Sequence, residues 1–152
     1  MRLPALLPVL ALLAHVASLA SADLIYSHVD GARLVTYTAM DANADPSLLL
    51  LPMTNPQYDI YDTWGLLDCQ ANRVKCSVWN YGSQRWLCAP TGNQFAKVSK
   101  TCATKLDVVS GSQGLVRFKD PQSGMFLTAV DGLVMLKPSS DGSNQLWRVY
   151  YT

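Results

Sequence analysis

Hydrophobic residues after position 22 fall in short runs that often alternate with polar residues, and turn-forming residues separate the runs. Runs of this length and alternation are typical of β-strands. In the last part of the chain the predicted strands are residues 114–118, 125–129, 133–136 and 146–150, with turns at 120–124 and 131–132 and a polar loop at 138–143. No apolar stripe of helical period long enough for a helix follows residue 22, so the pattern predicts an all-β chain.

The same pattern occurs twice in succession, at a spacing of 40 residues. Residues 76–109 overlie residues 116–149 without a gap. In this alignment the run Trp86-Leu87-Cys88-Ala89 meets Phe126-Leu127-Thr128-Ala129. Apolar positions coincide along the whole unit, and a period in this range indicates a repeat architecture.

A looser third copy fits the beginning of the chain after residue 22. Residues 24–26 are placed on residues 116–118, and residues 33–36 on residues 125–128. Trp64 is then a counterpart of Trp147. Three units of about 40 residues therefore fill residues 23–152, although the run 48–51 within the first unit could by itself belong to a strand or a helix.

Four short strands in each of three units make twelve. This number, in a chain of this length, predicts a β-trefoil, in which six strands close a barrel and three hairpins cap it. Closure is favourable because it removes the strand edges that promote aggregation. A four-bladed propeller would need a longer chain, and solenoid repeats of this length usually contain helices.

The first 22 residues differ from the rest and predict a cleavable signal peptide. They contain one charge, Arg2, then an apolar stretch from Leu3 to Val16, and they end in Ala20-Ser21-Ala22. Small residues at these positions fit the signal peptidase, so the mature chain is expected to begin at Asp23. The apolar stretch is interrupted by prolines and is too short for a membrane anchor. We therefore expect a secreted, extracellular protein with a single domain at residues 23–152.

Four cysteines lie in the middle of the chain: Cys69, Cys76, Cys88 and Cys102. In an oxidising compartment they are expected to form disulfides, and three connectivities are possible. The spacing favours two local loops, Cys69 with Cys76 and Cys88 with Cys102. A metal site is not expected, because the chain has neither a close cysteine pair nor a histidine cluster.

The charge balance argues against nucleic acid and membrane partners. Of the 12 lysines and arginines, Arg2 lies in the predicted leader, so 11 remain against 11 acidic residues, all of them aspartate. A neutral chain lacks the basic excess that attracts nucleic acid or an anionic membrane, so we expect neither nucleic acid binding nor membrane insertion. Aspartate suits turns better than helices, in agreement with a β-rich chain.

Candidate catalytic residues are few. His28 is the one histidine after residue 22, and Asp59 with Asp62 forms a carboxylate pair three residues apart. Neither lies in a catalytic motif, and no glycine-rich phosphate loop is present. We therefore expect a protein without enzymatic activity, cofactor or metal.

The end of the third unit, Asn144-Gln145-Leu146-Trp147, follows an Asp-Gly-Ser loop and resembles the Gln-x-Trp signature of ricin B-type (R-type) β-trefoil lectins. In that family the tryptophan is a barrel core residue and the glutamine helps to hold the hairpin. The resemblance implies these roles for Trp147 and Gln145. It also implies a lectin fold with carbohydrate as the ligand.

The sugar pocket of that family uses an aspartate shortly after the opening strand, an aromatic ring, and an asparagine before the glutamine. Asn144 matches the asparagine. The sequence departs from the family at the other two positions, where Thr128 and Lys137 align, and Asp131 is the nearest carboxylate, in an Asp-Gly pair that also fits a turn. With Gln145, the residues Asp131, Lys137 and Asn144 are the candidate ligand-binding residues of the third unit.

The second unit contributes aromatic candidates. Trp79 and Tyr81 bracket a polar turn and are expected to be exposed, whereas Trp86 aligns with Phe126 and is expected in the core. Exposed aromatic residues on a loop are typical of a binding face, so Trp79 and Tyr81 complete the candidate ligand-binding set.

Taken together, the sequence predicts a secreted β-trefoil recognition module. The leading partner is a glycan or glycoprotein, with a cell-surface receptor as one candidate. The alternative is a trefoil that binds a protein receptor or a protease, like growth factors, interleukins or inhibitors, or a cell-binding toxin subunit. Three aligned polar pockets with rings would favour sugar, whereas a broad apolar patch around Trp79 and Tyr81 would favour protein.

Overall fold

The computed structural model describes residues 23–29, 31–37, 44–52 and 60–151, so the predicted signal peptide lies outside the described residues. These residues form an all-β protein with no α-helix. The strands are β1 (Asp23–Ser27), β2 (Arg33–Tyr37), β3 (Leu48–Leu51), β4 (Ile60–Tyr61), β5 (Thr63–Leu67), β6 (Cys76–Asn80), β7 (Arg85–Cys88), β8 (Lys97–Ser99), β9 (Lys105–Ser110), β10 (Val116–Lys119), β11 (Phe126–Val130), β12 (Leu133–Lys137) and β13 (Trp147–Tyr151).

Six strands pair antiparallel in a closed ring. The order around the ring is β1, β5, β6, β9, β10 and β13, and β13 returns to β1. The final pairing joins the two ends of the described chain over five residues, from Asp23 opposite Tyr151 to Ser27 opposite Trp147. This ring therefore has no free edge.

The remaining strands form three hairpins, β2 with β3, β7 with β8, and β11 with β12. Backbone hydrogen bonds join the hairpins, since Leu48 N donates to Ala96 O at 3.0 Å and Ala96 N donates to Val134 O at 2.7 Å. A barrel with three linked hairpins is compatible with the predicted β-trefoil. Thirteen strands are described instead of twelve, because residues 60–67 divide into two strands with different partners.

Trp64 and Trp147 occupy equivalent places in the core. Both are fully buried, and their indole nitrogens donate to the carbonyls of Leu34 at 2.9 Å and Leu127 at 3.0 Å. The predicted equivalence of the two tryptophans is therefore confirmed. It also shows that the predicted alignment of the first unit is wrong by one residue, since Leu34, and not Val35, corresponds to Leu127.

The 40-residue spacing also fails near the end of the second unit. Cys76 pairs with Leu106 as Val116 pairs with Trp147, so Leu106 is the residue at the tryptophan position. The gap-free alignment placed Asp107 there. The second hairpin is two residues longer than the third, since Leu87 pairs with Val98 whereas Leu127 pairs with Leu136, but the loop after it is three residues shorter. Together these two differences place the tryptophan position of the second unit one residue earlier.

A buried polar residue closes the first turn of each unit: Ser27, Asn80 and Asp120. Asn80 Oδ1 accepts from the backbone and the hydroxyl of Ser83, both at 2.8 Å, and the Asp120 carboxylate accepts from the backbone nitrogens of Gln122 and Ser123, both at 3.1 Å. These hydrogen bonds from the turn backbone to the side chains stabilise the turns. They explain why polar residues occupy buried positions here.

Both favoured disulfides are present. Cys69 is bonded to Cys76 and Cys88 to Cys102, and the described residues contain no free cysteine. Each bridge closes a short loop within the second unit. Two disulfides are compatible with an extracellular protein.

Candidate functional site

Gln145 is a buried structural residue, with 1% of its surface exposed. Its Nε2 donates to Thr128 Oγ1 at 3.0 Å and to Pro138 O at 2.7 Å. Its Oε1 accepts from Ser140 N at 3.1 Å and from the guanidinium of Arg117. All four hydrogen-bonding positions of the amide are thus used within the protein. The structure gives Gln145 the hairpin-holding role, and its amide is not free to bind a ligand directly.

Arg117 supports the same loop from outside. Its guanidinium carbon lies 3.8 Å from the centroid of the Phe126 ring, and its Nη2 donates to Ser139 Oγ at 3.1 Å and Ser140 O at 3.3 Å. The cation over the ring fixes the guanidinium. The loop at 138–145 is therefore held by a buried amide on one side and an arginine on the other.

Asn144 and Lys137 are the two third-unit candidates with partly exposed side chains near this loop. Lys137 ends β12, opposite Phe126, and its Nζ donates to Asn93 Oδ1 of the second unit at 2.9 Å. Asn144 follows the turn at Gly142, where its Oδ1 lies close to the glycine backbone. Among the described residues its amide has no hydrogen-bond partner, so it can accept one from a ligand.

Asp131 lies at the opposite end of the hairpin. Asp131 and Gly132 form the two-residue turn between β11 and β12, with φ of 49° and 78°. A tight hairpin turn of this kind requires positive φ at both central residues, and an Asp-Gly pair readily adopts it. The strand between this turn and Lys137 is about 13 Å long at 3.3 Å per residue. The structure therefore does not bring Asp131 together with Lys137 and Asn144.

The position of the family's aspartate is also closed to ligands. Thr128 is 2% exposed, and its hydroxyl donates to Phe126 O at 2.8 Å while accepting from Gln145. A carboxylate here would lie against the buried amide. The third unit thus has the buried Gln145 and Trp147 that the resemblance implies, but it does not assemble the carboxylate and ring of a sugar pocket.

Trp79 and Trp86 form an aromatic pair on the outer surface of the second unit. They are opposite each other on β6 and β7, both half-buried, with ring centroids 4.5 Å apart and planes inclined by 62°. The expectation that Trp86 is a core residue is wrong. Leu87, the next residue on the strand, points inward and is 1% exposed, so the period of two puts Trp86 outside.

Tyr81 extends this surface. Its backbone nitrogen donates to Thr63 O at 3.0 Å, and its ring lies over Gly65, where a Cβ would be only 2.7 Å from the hydroxyl. Gly65 is opposite Trp79, so the missing side chain makes room for the tyrosine. Tyr81 is half-buried and not the exposed loop residue that the sequence suggested; its hydroxyl is buried, with no hydrogen-bond partner among the described residues.

The positions of Trp79 and Trp86 have counterparts in the other units. Tyr26 is opposite Arg33 in the first unit, and Lys119 is opposite Phe126 in the third. Each unit therefore has at least one ring at these positions, but Phe126 is buried beneath Arg117, whereas Tyr26, Trp79 and Trp86 are half-buried. The residue types at these positions differ between the units. The three pairs are therefore equivalent in their place in the fold but not in their side chains.

A groove outside β1 and β13 has a volume of about 510 Å³ and was not predicted from the sequence. It is lined by Leu24, Tyr26, Ser27, His28, Gly31, Arg148 and Tyr150. The two tyrosine rings meet edge to face, with centroids 5.3 Å apart. These residues come from the two ends of the chain, and the only available sequence signal was their alternation with core positions such as Ile25 and Trp147.

A network of charges around Asp45 ties the chain before β3 to the second unit. The Asp45 carboxylate lies 2.9 Å from Ser99 Oγ, 3.2 Å from Lys97 Nζ and 3.4 Å from Arg85 Nη1. Desolvation raises the pKa of Asp45, but the hydrogen bonds from Ser99 and Lys97 and the nearby positive charges more than offset it. The pKa of Asp45 is therefore lower than that of an ordinary aspartate.

In the part of the chain that the structure describes, no group of three or more histidine, cysteine and acidic side chains is placed to hold a metal ion. Over the same residues, no helix has the length and hydropathy to span a bilayer.

No protein-family model matches this sequence, and the comparison with curated proteins finds no match either. Solved structures do share the fold. Cry35Ab1 superimposes with a TM-score of 0.71 at 20% identity over 86% of this chain, which spans 35% of Cry35Ab1. The Rhizoctonia solani agglutinin gives a TM-score of 0.67 at 15% identity, with 99% of this chain and 100% of the agglutinin covered.

A third structure, SeviL bound to asialo-GM1 saccharide, gives a TM-score of 0.62 at 12% identity, covering 87% of this chain and 98% of SeviL. These structures support a lectin-like β-trefoil fold. At such identities the likeness concerns the fold alone, and function depends on the particular side chains of this chain.

Proposed function

We propose that this protein is a secreted, non-catalytic recognition module that binds carbohydrate, as a divergent relative of ricin B-type lectins. The observation that carries the proposal is the half-exposed Trp79 and Trp86 pair on a fold shared with an agglutinin and a saccharide-bound protein. A sugar presents an apolar C–H face that stacks on an indole ring, and nearby polar groups bind its hydroxyls.

In the third unit, the polar side chains that can bind sugar hydroxyls are those of Asn144 and Lys137. Both side chains are partly exposed, and Gln145 fixes the loop from which Asn144 projects. A single amide and an ammonium group bind hydroxyls weakly. Weak sites on different units can nevertheless give useful avidity for a glycan surface that presents several copies.

The test is a glycan array with the full chain expressed in secreting eukaryotic cells and purified from the medium. N-terminal sequencing of the product should begin at Asp23. The variants are Trp79→Leu, which keeps apolar bulk without the ring, and Asn144→Ala. The matched control is Gln94→Ala, which removes an exposed amide elsewhere in the second unit.

We expect glycan binding by the wild type and by Gln94→Ala, and a loss of at least fivefold in Trp79→Leu. A loss in Asn144→Ala would add the third unit to the binding surface. Absence of all glycan binding by correctly folded protein would overturn the proposal.

A protein partner is the second candidate, and the continuous surface formed by Trp79, Trp86 and Tyr81 favours it. Tryptophan and tyrosine are enriched at the energetic centres of protein interfaces. This function would bury the three rings together against a flat partner. It predicts that the folded protein binds no glycan on the array. It also predicts that Tyr81→Leu weakens partner binding as much as Trp79→Leu does.

A further inference from the structure

The groove between the chain ends has the composition of a ligand site. Tyr26 and Arg148 are opposite each other on β1 and β13, as are Leu24 and Tyr150. All four side chains point outward, because Ile25 and Trp147, which alternate with them, are buried. The volume of about 510 Å³ lies in the range that small-molecule sites occupy.

The permanently charged group among the described lining residues of the groove is the guanidinium of Arg148. Arg148 is exposed, and its Nη1 donates to Tyr150 Oη at 3.3 Å, which holds the guanidinium beside the ring. A guanidinium has five N–H donors, so others remain for a ligand. His28 adds an exposed imidazole, and none of the described lining residues is a carboxylate.

We propose that this groove binds an acidic saccharide, with the carboxylate of the sugar on Arg148 and its apolar face on Tyr150. The planar guanidinium pairs with a carboxylate through two parallel hydrogen bonds, and this geometry favours a carboxylate over a neutral hydroxyl. The site is separate from Trp79 and Trp86, and its ligand class rests on the proposed carbohydrate function. It would make the protein selective for glycans with acidic sugars.

The test is an NMR titration of the secreted, purified protein with glucuronic acid, N-acetylneuraminic acid, galactose 3-sulfate and neutral galactose. Acetate and inorganic sulfate serve as anions without a sugar ring. Arg148→Gln removes the charge and keeps much of the side-chain length, and Lys100→Gln removes one exposed charge at the end of β8 as the matched control. Near-UV circular dichroism verifies the fold of each variant.

We expect both carboxylate sugars to bind at least tenfold more tightly than galactose and than acetate. Arg148→Gln should abolish this preference, Tyr150→Leu should weaken binding of the acidic sugars, and Lys100→Gln should leave it unchanged. Stronger binding of galactose 3-sulfate than of the carboxylate sugars would reassign the anion to sulfate and overturn the carboxylate proposal.

Two further outcomes separate this proposal from the proposed function. If acidic and neutral sugars bind alike, or Arg148→Gln changes nothing while the glycan array is positive, the groove is not the site and the lectin function stands. If neither the titration nor the array shows binding by folded protein, both proposals fall.

Discussion

The Nε2 atom of Gln145 donates a hydrogen bond to the hydroxyl of Thr128 at 3.0 Å, inside the third hairpin. In the sequence alignment with ricin B-type lectins, Thr128 takes the position of the aspartate that binds sugar in that family. The hydroxyl therefore serves the fold at the point where the family's aspartate serves the ligand. The Gln-x-Trp end of the third unit therefore has a structural role in this protein that needs no bound sugar.

Replacement of Gln145 should be costly for stability. Gln145→Leu keeps the approximate volume but leaves Pro138 O, Ser140 N and the Arg117 guanidinium without the buried amide. Each unsatisfied buried group costs about 1–3 kcal/mol, so we expect a loss of about 2–4 kcal/mol in urea unfolding. Gln94→Ala, at an exposed glutamine, should change the free energy of unfolding by less than about 0.5 kcal/mol. Equal effects of the two variants would contradict the structural role of Gln145.

The two core tryptophans should respond alike to removal of the indole nitrogen. Trp64→Phe and Trp147→Phe each leave a buried carbonyl without its donor, and each should lose about 1–3 kcal/mol. Trp147→Leu copies the natural residue of the second unit, Leu106, but leaves a cavity, and should lose about 2–4 kcal/mol. The free energy of unfolding of each variant is measured by far-UV circular dichroism. A neutral Trp64→Phe beside a damaging Trp147→Phe would refute their equivalence.

The Asp45 network should contribute stability that depends on pH. The pKa of Asp45 is lower in the folded protein than in the unfolded chain, so its contribution is present above the ordinary aspartate pKa of about 3.9. It is lost as the pH falls through the lower, folded value. We therefore expect the free energy of unfolding of the wild type to exceed that of Asp45→Asn by about 1 kcal/mol at pH 7, and this difference to shrink as the pH falls below about 3.9.

Urea unfolding of both proteins at pH 7, 5 and 3 provides the measurement. Asp141→Asn, at an exposed aspartate of the loop before β13, is the control and should follow the wild type. If the difference in the free energy of unfolding between the wild type and Asp45→Asn grew as the pH fell, the lowered pKa of folded Asp45 would be contradicted.

The two disulfides should differ in their contribution. The Cys88 to Cys102 bridge spans 14 residues and the Cys69 to Cys76 bridge spans 7. A disulfide stabilises the folded protein by restricting the unfolded chain, and this effect grows with loop length. It amounts to about 3 kcal/mol for the longer loop and about 2 kcal/mol for the shorter one. Double alanine variants of each pair, compared by thermal unfolding, should therefore place the Cys88 and Cys102 variant lower. The reverse order would mean that native packing, and not loop entropy, dominates.

Much of the candidate site could not be predicted because it depends on which face of a strand a residue occupies. Trp86 and Phe126 were correctly aligned, yet Trp86 proved to be half-buried on the outer face of the strand, since Leu87 takes the core position. Asp131 and Asn144 seemed to belong to one pocket because they lie in one unit. The hairpin between them instead directs Asp131 to its tip, where the Asp-Gly turn requires it.

The sequence by itself determined the all-β character, the three units, the pairing preference of the cysteines and the equivalence of Trp64 with Trp147. These features depend on local alternation, turn residues and spacing, which are visible in one chain. The tertiary structure alone decided the strand register and the groove of Tyr26, Tyr150 and Arg148. Register changes with every loop length, and a slip of one residue reverses the face of each side chain. The groove exists only because barrel closure pairs the first strand with the last, and no local pattern records that contact.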